Sequence, residues 1–95
     1  MNAYETQPVR KAYGVNFNEE YIMGMVDREG AIAVTDILSR SSEIMTLATT
    51  HKYICQLIDK GLLKHSQNKE DMRVKLVIMT KKGINFIKEL NETKC

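Results

Sequence analysis

Hydrophobic positions recur along this chain with two different periods, and the change from one to the other sets out its elements. In "NFNEEYIMGMVDREG", Phe17, Tyr21 and Met25 recur every four residues with Ile22 and Val26 beside them, the spacing of an amphipathic helix. Asn18 is a candidate cap there, Glu19 and Glu20 suit the positive end of a helix, and Gly30 ends it. "AIAV" is β-prone and long enough only for one small strand. It leads into "TDILSRSS", where Thr35 can cap a short helix that buries Ile37 and Leu38, and a turn is expected from Ser41 to Met45. In "TLATTHKYICQLIDKGLL", Thr50, Tyr53, Ile54 and Leu57 stand at i, i+3, i+4 and i+7, behind Thr46 as the cap and ahead of Gly61 as a left-handed stop.

After Gly61 the period falls to two. "LLKHS" and "VKLVIMT" have strand composition, and in the second Val74, Leu76 and Ile78 alternate with Lys75, Val77 and Met79. Joined by "QNKED", they predict an antiparallel hairpin with a charged tip. Thr80 then caps a last helix, "KKGINFIKELN", expected to bury Ile84, Ile87 and Leu90. Residues 1–15 show no periodicity and hold the single proline, Pro8, so a flexible N-terminal arm is expected ahead of one domain over residues 16–95. The order of helix, short strand, two helices, β-hairpin and C-terminal helix predicts an α+β fold, the winged helix-turn-helix.

Composition narrows the classes. Ninety-five residues suffice for one small core, and 43% hydrophobic with 27% charged residues is ordinary for a globular protein. The longest apolar runs, "LVIM" and "AIAV", fall far short of the roughly 20 residues of a membrane helix, and no signal segment opens the chain, so a cytoplasmic protein without membrane contact is expected. Cys55 and Cys95 form no CxxC pair, so neither a disulfide scaffold nor a metal site is predicted, although an accessible thiol can act as a redox sensor. His51 and His65 are the only histidines. His51 with Cys55 at i, i+4 has no third ligand or orienting carboxylate nearby in sequence, so no catalytic residue and no cofactor are expected.

The net charge of +2 is unevenly spread: residues 1–45 carry four Lys/Arg against seven Asp/Glu, and residues 46–95 carry ten against five. The second half is therefore the place to look for polyanion contact. It holds the second helix of a helix-turn-helix, the one that can enter a major groove. Opposite its apolar stripe stand Thr49, Lys52 and Gln56, with Ala48 and His51 at the edge, side chains able to approach base edges and phosphates. A generic amphipathic helix has the same pattern, so the helix alone leaves both readings open.

Three stretches carry a resemblance to a known family: "TLATTHKYICQLIDKGLL", "EDMRVKL" with its Asp-x-Arg, and "MTKKG". In this register, the span from about Ala31 to Leu90 is similar to the DNA-binding core of the MarR family. The resemblance implies a small transcriptional regulator that binds double-stranded DNA with sequence specificity. Thr46, Ala48, Thr49, His51, Lys52 and Gln56 would lie on the DNA side of the recognition helix, with Lys69, Asp71 and Arg73 on the wing. Asp71 would brace Arg73, which would reach toward the minor groove; the other reading is that the pair only stabilises the hairpin turn. The family's long terminal helices, which build a dimer and a ligand pocket, are expected to be missing or abbreviated. No small-molecule ligand is therefore implied, and a homodimer is possible through the first helix, the last helix or the arm. The alternative function is a winged-helix protein–protein interaction module, which would expose apolar anchors where a DNA reader keeps basic and short side chains.

Overall fold

The computed structural model describes residues 8–67, 69–71 and 73–93. Its elements are α1 (Pro8–Tyr13), α2 (Phe17–Glu29), β1 (Ala31–Ala33), α3 (Val34–Arg40), α4 (Leu47–Asp59), β2 (Leu63–Gln67), β3 (Lys75–Met79) and α5 (Lys81–Thr93). The sheet is antiparallel throughout, in the order β1-β3-β2. This is an α+β winged helix.

Part of the stretch expected as an arm is helical. Residues 1–7 lie outside the described residues, but Pro8–Tyr13 forms α1, and Tyr13 packs edge-on against the buried Phe86 of α5 with ring centroids 5.0 Å apart. A hydrogen bond to Glu89, also on α5, pushes the Tyr13 phenol pKa up. Contacts of Tyr13 with the distant α5 hold this end, and a helix of six residues is too short for periodicity to announce it.

α2 begins two residues earlier than Asn18 suggests. Asn16 is the cap: its Oδ1 accepts from the Glu19 backbone N–H at 2.8 Å, and the Glu19 carboxylate accepts from the Asn16 N–H at 3.1 Å, a reciprocal capping box. The buried stripe of α2 is Ile22, Met23, Met25 and Val26. Phe17, expected inside, is 61% exposed. A repeat of four drifts around a helix of 3.6 residues per turn, and Phe17 ends up on the side opposite Val26.

α3 starts at Val34, directly after β1, with Ala33 at the cap position and no side-chain cap, so Thr35 falls inside the first turn instead of before it. Pairing of Ala33 with Leu76 keeps the chain extended up to that residue, which leaves no room for a linker. Ile37 is fully buried as expected, and the turn at 41–45 closes through bonds from the Ile44 and Met45 N–H groups to the Ser41 carbonyl.

The last helix is rotated from its expected setting. Thr80 caps it, accepting from the Gly83 N–H at 3.1 Å, but the buried stripe is Gly83, Phe86 and Leu90, while Ile84 is 53% exposed. Gly83 explains the rotation: a Cβ there would collide with the Leu62 carbonyl, so the helix lies directly on the chain that leaves α4. In β3 it is Val77 that enters the core, with Leu76 and Ile78 half-buried on the other face.

Candidate nucleic-acid interface

α4 owes its setting to both of its ends. At the start, the Thr46 Oγ1 accepts from the Thr49 N–H at 3.1 Å and lies 2.9 Å from the Thr49 hydroxyl, while the buried Thr50 hydroxyl donates to the Thr46 carbonyl at 2.9 Å. At the finish, Gly61 takes φ +76°, its N–H bonds the Ile58 carbonyl and the Leu62 N–H bonds the Leu57 carbonyl, the paired bonds of a Schellman stop. The Thr80 hydroxyl donates to the Gly61 carbonyl at 2.6 Å and lies 3.0 Å from that of Leu62, and the Thr80 N–H also reaches Leu62. The end of α4 and the end of the hairpin are thereby tied at one point.

Between these ends Thr50, Ile54 and Leu57 are buried, and Ala48, His51, Lys52 and Cys55 form the exposed side, flanked by half-buried Thr49 and Gln56. Thr46 is exposed at the cap. The residues singled out from the sequence on this helix thus share one outward surface. Two neighbours on it were not singled out: Cys55, whose Sγ lies 3.8 Å from the His51 Nδ1, and Leu47, 61% exposed. The spacing 48, 51, 52, 55 signals the first of them.

The wing pairs Leu63 with Met79 through to Gln67 with Lys75. Beyond Gln67, Asp71 organises the loop. Its Oδ1 accepts from the Arg73 backbone N–H at 3.0 Å and lies 3.3 Å from the Arg73 Nε, while its carbonyl accepts from Val74 at 3.1 Å. One carboxylate oxygen therefore shapes the turn and orients the guanidinium. The Arg73 side chain is 91% exposed against 42% for Asp71, and Lys69 is exposed on the same loop.

A second ion pair does different work. The Glu19 side chain is 1% exposed, and the Lys60 Nζ sits 2.9 and 2.7 Å from its two oxygens and also bonds the Gly14 carbonyl. Lys60 is thus one of the ten basic residues of the second half that serves the interior, joining the last residue of the α4 turn to the start of α2. In the first half, Arg40 is held by Glu29 at 2.9 Å, a hydrogen bond that pushes its pKa up. Among the described residues no group of three or more His, Cys, Asp and Glu is placed to hold a metal ion, and no helix is long and apolar enough to cross a membrane.

No protein-family model matches the sequence, and no curated protein matches it at a significant level. Solved structures do match. The S. aureus MepR–DNA complex aligns with a TM-score of 0.77 at 16% identity, covering 88% of this chain and 68% of the other. The chain's fold is the MarR-type winged helix. A mutant MarR from E. coli complexed with operator DNA gives 0.73 at 15% identity over 88% and 61% of the two chains, and the YusO protein from Bacillus subtilis gives 0.73 at 19% over 88% and 58%. This chain therefore spans roughly three fifths of the length of these winged-helix proteins.

Proposed function

We propose that this MarR-like winged helix binds double-stranded DNA with sequence specificity and acts as a transcriptional regulator, α4 entering the major groove and the wing lying over the minor groove. The observation that carries the reading is Arg73: a guanidinium oriented by Asp71 and yet 91% exposed. An arginine that only closed the turn would need no more than its backbone N–H, which Asp71 already holds. A narrow A·T-rich minor groove has an enhanced negative potential, and a pre-set guanidinium suits it. On α4, Thr46, Thr49, Lys52 and Gln56 supply donors and acceptors for base edges and phosphates, Ala48 and His51 stand beside them, and Lys69 adds a phosphate contact on the wing. The fold's likeness to structures solved with DNA supports the same placement. One helix and one wing cover half of a two-fold site, so a pair of chains on the duplex belongs to the proposal.

Ile44 at 53% and Leu47 at 61% exposure, on either side of Thr46, favour a second reading, a protein-binding module with these residues as apolar anchors. Fluorescence anisotropy with short duplexes separates the two. Arg73→Ala should weaken DNA binding by about 1–3 kcal/mol, most where the flanks are A·T-rich, and Lys52→Ala should weaken it either uniformly, as a phosphate contact, or at one base position, as a guanine contact. If folded Arg73→Ala binds A·T-flanked and G·C-flanked duplexes as tightly as the parent does, the wing does not touch DNA and the protein-binding reading takes its place.

A further inference from the structure

The hydroxyl groups at the start of α4 are engaged within the helix itself. The Thr46 Oγ1 accepts from the Thr49 N–H at 3.1 Å and lies 2.9 Å from the Thr49 hydroxyl, and the buried Thr50 hydroxyl donates to the Thr46 carbonyl. Capping thus claims these groups before any ligand does. What the first turn leaves outward is largely carbon: Leu47, 61% exposed at the first helical position, and the exposed Ala48 beside it.

Residues four apart lie one above the other on a helix, so the outward side of α4 separates into two rows. Leu47, His51 and Cys55 form one, and Ala48, Lys52 and Gln56 form the other. The cation and the amide stand in the second and third turns, and the aliphatic side chains stand in the first. A single exposed leucine is ordinary on a protein surface, and it is the position of Leu47 that gives it meaning. In a helix-turn-helix the residues at the start of the second helix are the ones that meet base edges in the major groove. Donors and acceptors distinguish the bases there, and thymine adds a C5-methyl group, which apolar side chains contact.

On the footing of the DNA reading proposed above, we infer that Leu47, with Ala48 beside it, reads the C5-methyl group of a thymine, so that the preferred site carries a T·A pair opposite the start of α4. The two rows then do different work. Lys52 and Gln56 reach phosphates or base edges through charge and hydrogen bonds, whereas Leu47 takes a methyl group out of water. The exposed leucine that would anchor a protein partner is in this way given an occupant on DNA. A methyl contact of this kind selects a base without adding a charge, which suits a chain whose net charge is only +2.

The test begins with duplexes selected by the full chain from a synthetic random pool, which holds no methylated cytosine. Each thymine of the selected site is then replaced by uracil, a change that removes the methyl group and keeps every donor and acceptor. Fluorescence anisotropy should find a thymine whose replacement raises Kd about fourfold, the effect of burying one methyl group. Leu47→Ala should bind the thymine and uracil duplexes nearly alike; alanine's high helix propensity keeps α4 intact, and circular dichroism checks it. Lys52→Ala should weaken binding to both duplexes and keep the fourfold difference between them. If no duplex binds even at low salt, the DNA reading falls and the thymine contact falls with it. Selected sites without a required thymine, or uracil duplexes bound as tightly as their parents, overturn the methyl contact and leave the DNA reading standing. A folded Leu47→Ala that still prefers thymine to uracil by the parent's factor overturns the assignment to Leu47.

Discussion

Lys60 and Arg73 stand thirteen residues apart, each joined to a carboxylate, and their surroundings set them to opposite tasks. Lys60 pairs with a Glu19 side chain that is 1% exposed, reaches both of its oxygens and adds the Gly14 carbonyl, so its charge is consumed by the fold. The Arg73 side chain touches Asp71 only through Nε, at 3.3 Å, and is 91% exposed, so its charge is oriented and still available. Burial decides the difference. A desolvated carboxylate has to be matched, whereas an exposed pair contributes about 0–1 kcal/mol and is held for its geometry more than for stability.

The contrast is broken most sharply at Lys60. Lys60→Met leaves Glu19 buried without its cation and should destabilise the protein by about 3 kcal/mol, the low end for a buried pair because Lys60 itself is 32% exposed. Urea unfolding measures it; a loss below about 1 kcal/mol would place the pair with the surface bridges. Gly83→Ala comes next, at about 1–3 kcal/mol, since its methyl must displace the Leu62 carbonyl and with it the junction of α4 and the hairpin. An unchanged thermal midpoint would show that α5 moves aside freely. Smallest in stability is Asp71→Ala, expected within about 0.5 kcal/mol of the parent, with DNA affinity falling by less than it does in Arg73→Ala because the reaching group remains. A larger loss than Arg73→Ala would mean that Asp71 matters mainly for the shape of the loop.

How much of this was legible in the sequence follows the range of the interactions. The caps made by Thr46 and Thr80, the Gly61 stop and the Asp71–Arg73 turn are local devices whose capping partners lie within a few residues, and each sits where the sequence places it; the bonds from Thr80 to Gly61 and Leu62 are long-range and were not foreseen. The α2 cap was misplaced by two residues, because Asn16 and Asn18 both fit the composition and only the return bond from Glu19 to Asn16 separates them. The outward placements of Phe17 and Ile84 were missed since the rotation of a helix is set by what it packs on, and for α5 that is a backbone carbonyl more than twenty residues back in the chain. The role of Lys60 was beyond reach for the same reason: its carboxylate lies 41 residues away, so a count of basic residues credited it to the surface. α1 was unseen because the partners that hold Tyr13, the Phe86 ring and Glu89, lie more than seventy residues on in the chain.

The chemistry of the exposed face was easier to find than that of the interior. On α4 the outward residues are whatever the apolar stripe leaves, so Ala48, His51, Lys52 and Gln56 follow once Thr50, Ile54 and Leu57 are placed. Cys55 was weighed only as a thiol and as a partner of His51, although the spacing 48, 51, 52, 55 places it on the same outward side, and Leu47 was passed over because an exposed apolar residue has no place in the amphipathic pattern.

The most direct test of the central claim, that this winged helix grips the DNA backbone with its exposed cations, is the salt dependence of binding. The full chain is titrated into mixed-sequence duplex at several salt concentrations between about 50 and 200 mM, and the logarithm of the association constant is plotted against that of salt. Each phosphate contact contributes a slope of about −0.9, so a few contacts from Lys52, Lys69 and their neighbours predict a steep fall in affinity across that range. A flat line, or no binding at the lowest salt, contradicts the account.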